Sequence, residues 1–159
     1  MLKVKLITVG TLKEEYLRAA AAEYEKRLGA FCRFEHVSLK EERIGDTPSQ
    51  NEIRAVLERE AAKIIEQIPS SAFCVALCVE GKQLSSEEFA EKIEEISLEK
   101  SEICFVIGSS YGLSDTVKQR ADMRLSVSKL TFPHQLMRVI LLEAIYRAFN
   151  IQRGTKYHK

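Results

Sequence analysis

Two unbroken apolar runs, Ala72–Val79 and Ile103–Ile107, constrain the fold more than any other feature of the chain. An apolar run of this length, stopped by a glycine turn, reads as a strand with no water on either face. Such strands belong in parallel sheets whose crossovers cover both sides. The second run breaks at Gly108-Ser-Ser-Tyr-Gly112, and Ser114-Asp115 then offers a helix start. In open α/β sheets, ligands settle just beyond the carboxyl ends of strands, so Gly108–Gly112 is the first place to expect a small molecule.

The rest of the chain alternates strand and helix. Leu2–Val9 reads as a first strand, its Lys3 and Lys5 leaving part of one face open to water. Glu14–Leu28 is a helix stopped by Gly29 at the C′ position, and Phe31–Leu39 a second strand. Lys40–Pro48 is a polar loop. Ser49-Gln-Asn-Glu52 and Ser85-Ser-Glu-Glu88 are capping boxes, each opening a helix with an apolar stripe. A short helix over Asp115–Ala121 and a short strand over Arg124–Val127 follow. Ser128–Pro133 then leads into a last helix, apolar around most of its circumference from Leu136 to Phe149. Such a helix must be covered twice, by its own sheet and by another subunit. The fold class is therefore α/β, a mostly parallel sheet flanked by helices, in one domain over 1–159.

Composition narrows the function classes. No apolar run approaches the ~20 residues of a membrane span, and MLKVKLITVG lacks a signal-peptide layout, so the expectation is a cytoplasmic chain. Cys32, Cys74, Cys78 and Cys104 form no C-x-x-C pair, and the three histidines are scattered. They read as reduced core thiols and not as metal ligands. The net charge of +1 conceals an asymmetry: from Lys118 to Lys159 nine Lys/Arg face only Asp122 and Glu143. A basic end on an otherwise acidic chain points to a polyanionic partner.

Several motifs compete as sites. Gly108-Ser-Ser-Tyr-Gly112 fits the G-x-S-x-G pattern of a nucleophile elbow, with Ser110, then Asp115 or Asp122, then His134 in hydrolase order. Only 24 residues separate Ser110 from His134, and no oxyanion segment accompanies them. The first strand ends in a single Gly10, and no G-x-x-x-x-G-K-[ST] loop exists, so nicotinamide and triphosphate cofactors are poorly supported. Three turns, Leu77–Lys82, Gly108–Gly112 and Val127–Phe132, could converge at the strand ends and suit an adenine with a short aliphatic tail. In the last helix Glu143 and Arg147 form an i, i+4 pair, with Arg138 on another face. The closing Tyr157-His158-Lys159 combines groups that could stack on a base and grip phosphates, as an enzyme or a purely RNA-binding module would.

The segments FVIGSSYGLS, LSVSKLTFPHQLMRVILLEAIYRAF and RGTKYHK together resemble the SPOUT-class methyltransferases that modify N3 of pseudouridine in large-subunit ribosomal RNA. The resemblance spans the whole chain. It implies a C-terminal trefoil knot, a homodimer, and S-adenosylmethionine held by Leu77, Gly108, Val127, Ser128, Lys129, Leu130, Thr131 and Phe132. It also implies an RNA-facing tail with Arg153, Lys156, Tyr157 and Lys159, completing the partner subunit's site on the assembled ribosome. His158 or Arg138 would assist departure of the N3 proton, without a metal. The chain departs from the family pattern at four positions: Ser109 stands where a glycine is frequent, Cys78 where an acid is common, and Thr155-Lys156 where Glu-Pro is usual.

Overall fold

The computed structural model describes all residues, 1–159. Five strands, β1 (Lys3–Val9), β2 (Arg33–Leu39), β3 (Phe73–Lys82), β4 (Glu102–Ile107) and β5 (Met123–Leu125), form one sheet in the order β2-β1-β4-β3-β5. Every pairing is parallel. Four helices connect them, α1 (Glu15–Leu28), α2 (Gln50–Glu66), α3 (Ser86–Glu99) and α4 (Asp115–Arg120), and a fifth, α5 (His134–Gln152), follows β5.

The alternation of side chains along the strands divides the core in two. Val4, Leu6, Val75, Ile103, Phe105 and Ile107 face α1, α3 and α5, where Leu141, Leu142 and Ile145 are fully buried. Ile7, Val9, Cys74, Ala76, Cys104 and Val106 face the other way, against Ala61 and Ile64 of α2 and Val117 of α4. Burial pushes the thiols of Cys32 and Cys74 up to about 11 and that of Cys104 to about 12, as expected of core cysteines.

The serine half of both expected capping boxes forms: Ser49 Oγ accepts the Glu52 N–H and Ser85 Oγ that of Glu88, each at 3.1 Å. Other details differ. Gly29 ends α1 with a right-handed φ of −58°, so no left-handed glycine cap is used there. Lys5 is not open to water; its stem crosses the core edge and its Nζ donates to the Gln67 carbonyl at 2.9 Å beside Glu102. β5 stops two residues short of the expected end, and Ser126 N bonds to the Lys82 carbonyl beyond a shift in register. Pro133 caps α5 instead of entering it, and the helix runs on to Gln152. Its apolar circumference is covered by the sheet and also by α1 and α3, so part of the cover expected from a second subunit comes from the same chain.

His36 illustrates how burial links fold to pH. Its Nε2 lies 2.8 Å from Thr8 Oγ1, and burial, aided by the nearby Arg138 charge, depresses its pKa to about 4. An imidazole held neutral in the fold but protonating near 6.5 when unfolded makes the unfolded chain bind more protons between these values. Its stabilisation is therefore complete above pH 6.5 and is lost as pH falls towards 4. Denaturant midpoints measured at pH 7 and pH 5 should show this loss, and His36→Gln should remove the His36 share of the slope.

Candidate ligand site at the carboxyl edge of the sheet

Beyond the carboxyl ends of β3, β4 and β5 lies a cavity of about 320 Å³, at the lower end of the range of roughly 300–1,000 Å³ that small ligands occupy. Each of its three walls has a separate local cause.

The first wall is an irregularity in β3. Pairing with β5 runs in register to Leu77↔Leu125 and then jumps so that Lys82 also faces Leu125. The residues between bulge away from the ladder, exposing Val79 and lining the cavity with Leu77, Cys78 and Val79. Gly81 closes the bulge against the backbone of Leu125 and Ser126, where a Cβ would come within 2.6 Å of a main-chain carbon.

The second wall is the turn after β4. Gly112 N donates to the Ser109 carbonyl at 2.9 Å, pinching the turn so tightly that a Cβ on Gly108 would collide with the Gly112 carbonyl. Gly108, Ser109, Ser110 and Gly112 of this turn line the cavity. The third wall is Ser126–Pro133, folded by local side-chain bonds: Ser126 Oγ to the Ser128 carbonyl at 3.1 Å, and Leu130 N to Ser128 Oγ at 3.0 Å. Half of the lining residues are apolar, and no carboxylate is among them. The cavity suits a ligand with an apolar or aromatic body and a few polar edges.

Of the residues expected at a cofactor, Leu77, Gly108, Val127, Ser128, Leu130, Thr131 and Phe132 all meet here, while Lys129 lies outside the lining. Ser110 and His134 line the same cavity, but no hydrogen bond joins them. Asp122 accepts the Cys74 N–H at 2.8 Å and pairs with Arg120, and Asp115 opens α4. No serine triad assembles.

Arg138 and His158, the two residues expected to assist proton removal, are far apart in their surroundings. Arg138 is 4% exposed and donates to the Gly10 carbonyl at 3.1 Å, beside Glu25 and His36. Burial lowers its pKa, and it does not reach the 320 Å³ cavity. His158 instead belongs to a network on the other flank of α5. Its Nε2 is 2.7 Å from Glu87 Oε1 and its Nδ1 is 3.1 Å from Arg147. Tyr157 donates to Glu143 Oε1 at 3.0 Å, packs against Tyr146 and lies under the Arg147 guanidinium. Burial and the Glu143 carboxylate hold its phenol up at about 12, so it remains a donor. Arg153 points elsewhere, over the Phe31 ring and to the Ala30 carbonyl, whereas Lys156 and Lys159 are exposed.

The sequence pairing of Glu143 with Arg147 is present at 2.8 Å, but nothing in the sequence marked Glu87 as the anchor of the tail. Glu87 sits in the first turn of α3, and the start of that helix shares a cleft with Ser126 and Val127. The tail and the third cavity wall thus flank the same helix end.

A parallel sheet with an apolar cradle of pinched turns at its carboxyl edge and a cationic tail nearby defines a ligand-binding α/β domain. The model of the family described as "Predicted SPOUT methyltransferase" matches residues 2–158, and the chain belongs to that family. It is 50% identical to a Streptococcus thermophilus protein named ribosomal RNA large subunit methyltransferase H, over 99% of this chain and 100% of that one. Proteins of the same name from Streptococcus suis and Streptococcus pneumoniae are 48% and 46% identical over the same shares.

Because the Gly108 turn has no room for a side chain, Gly108→Ala should destabilise the fold by about 1–3 kcal/mol through overpacking. A thermal melt should show a midpoint several degrees lower, while Gly45→Ala, with nothing within 4 Å, should leave it in place.

Proposed function

We propose that this chain is an S-adenosylmethionine-dependent methyltransferase of large-subunit ribosomal RNA, acting at N3 of a pseudouridine on the assembled ribosome. The observation that carries the reading is the cavity built by three turns at one sheet edge, in a member of a methyltransferase family. The name shared by the full-length relatives directs the activity to ribosomal RNA.

The residues present fit the donor. The bare backbone at Gly108 gives a flat purine close approach and hydrogen-bonding edges, while Leu77, Val127, Leu130 and Phe132 offer apolar cover. Bound there, S-adenosylmethionine supplies an electrophilic methyl group on sulfur. The chain's own task is to exclude water, hold the acceptor nitrogen in line at near-attack distance, and accommodate the proton that leaves N3.

His158 or Arg138 serves the last role: the His158 imidazole is oriented by Glu87 and Arg147, and Arg138 keeps a buried Nε without a partner beside its bond to Gly10. The nearby Arg147 cation would favour the anion that forms on the pyrimidine as the proton departs. None of Arg153–Lys159 lines the cavity of its own chain, which supports a homodimer in which each tail serves the other subunit. Leu130, 72% exposed, and Leu136, 36% exposed, provide apolar surface beside the cavity for such an interface. The segment through Val127–Phe132 would then form part of the trefoil knot.

Mass mapping of ribosomal RNA from cells with and without the gene should show one pseudouridine losing its N3 methyl group; an unchanged map would refute the assignment. Deleting Gly154–Lys159 should abolish transfer and leave donor binding by calorimetry nearly intact, whereas equal loss of both would contradict the division of labour. His158→Ala should lose about 10²-fold in turnover, the lower end of what a positioned acid or base contributes. Replacing Lys156 and Lys159 by Ala should flatten the salt dependence of RNA binding, by roughly 0.7 in log–log slope for each phosphate no longer neutralised.

A further inference from the structure

A second cavity, of about 270 Å³, opens at the same edge of the sheet, between the loop after β1 and the elements α1, β2 and α5. Two guanidiniums line it, Arg138 from α5 and Arg18 from the start of α1. Both hold the loop. Arg138 Nη2 donates to the Gly10 carbonyl at 3.1 Å, and Arg18 Nη1 to the Leu12 and Lys13 carbonyls at 3.0 and 2.7 Å.

These bonds leave both cations without a counter-charge. Arg138 Nε is the one buried side-chain nitrogen or oxygen of the chain with no hydrogen-bond partner, and its Nη1 bonds to nothing in the fold. The single acid at the cavity, Glu25, lies instead 3.6 Å from His36 Nδ1. Burial pushes the Glu25 carboxyl up in spite of the Arg138 charge, the opposite of what a close pairing with the arginine would do. His36 is held neutral, so two cations of the lining face one carboxylate.

A guanidinium so enclosed calls for an anion, and its planar fork matches the oxygens of a phosphate. The volume falls just below the roughly 300–1,000 Å³ of small-molecule pockets, which suits a compact group. The position favours RNA as the source of that group. His134 and Met137 of α5 line the donor cavity and Arg138, on the next turn, lines this one, so a strand with its reacting base at the first cavity passes the second.

We propose that Arg138 and Arg18 form a phosphate site, which holds a backbone phosphate of the ribosomal RNA flanking the target nucleotide. The inference rests on the reading of this chain as an enzyme of ribosomal RNA. It gives Arg138 to the phosphate and leaves the N3 proton to His158.

Steady-state methyl transfer to ribosomes from cells lacking the gene tests it, with the full chain, Arg138→Gln, Arg18→Gln and Glu25→Gln. Loss of a charge-assisted bond should raise the KM for ribosomes about 10-fold in each arginine variant. Their kcat and their affinity for S-adenosylmethionine by calorimetry should stay close to the parent's. Glu25→Gln should lower the KM for ribosomes, because a repelling charge is gone. A fall in kcat at unchanged KM in Arg138→Gln would overturn the proposal and give the arginine to the N3 proton. A higher KM in Glu25→Gln would also overturn it, since the acid would then be the partner of Arg138. Sedimentation showing a changed number of chains per particle in Arg138→Gln would replace the phosphate by a contact between copies. Inorganic phosphate that binds the parent by calorimetry, with the KM for ribosomes parental in both arginine variants, would make the site one for a free anion and refute the RNA contact. Should Arg138→Gln fail to fold, the opposite KM shifts of Arg18→Gln and Glu25→Gln decide, and parental values in both refute the site. A parent that transfers no methyl group to ribosomes refutes the function proposed above, and this inference with it; a parent that does so while every variant matches it refutes this inference alone.

Discussion

Strand β4 is hydrogen-bonded along both edges, to β1 and to β3, and Ile103–Ile107 are all buried. Its backbone polar groups have no water to fall back on, so both ladders must form for the strand to exist at all. This requirement fixes β1 and β3 on either side of it and places their carboxyl ends together. The chain then has to leave β4 immediately, at a turn where Gly108 touches the Gly112 backbone. Cavity position, turn geometry and sheet order are all consequences of one strand with no free edge and no free face.

The sequence made that strand visible because five consecutive apolar residues between glycine and polar neighbours have few other solutions. Helix starts were equally legible, since Ser49 and Ser85 carry their capping partners three residues on. The three cavity turns were legible as turns that could converge at the strand ends, and residues of all three line one cavity. The shape of the first wall was not legible, because it depends on the register shift between Leu77 and Lys82, which no local pattern of residues announces. Long-range polar partners were invisible for the same reason. Glu87 lies 71 residues from His158, and Glu60 looks like any exposed helix glutamate until the fold buries it. Arg138 was legible as a charge in an apolar helix, but not its bond to the distant Gly10 carbonyl, 128 residues away in the chain.

The tail shows how a terminal segment can be ordered without secondary structure. Thr155 Oγ1 donates to Asn150 Oδ1 at 2.7 Å, and Asn150 Nδ2 in turn bonds to the Tyr146 carbonyl, turning the chain back along α5. Tyr157 and His158 then reach partners on α5 and α3. Such charge-assisted bonds are modest singly when partly wet. Together they convert a six-residue end into a surface of fixed shape, with an aromatic ring, an imidazole and a guanidinium presented side by side.

The pairing of Lys3 with Glu102 has a consequence for synthesis of the chain. During translation β1 can gain β2 early, but its other edge stays open until about a hundred further residues have been made. At ~5–20 residues per second that interval lasts on the order of 5–20 s. Through that time the nascent chain carries an unprotected ladder flanked by Val4, Leu6 and Ile7, and sheltering it falls to whatever surrounds the emerging polypeptide.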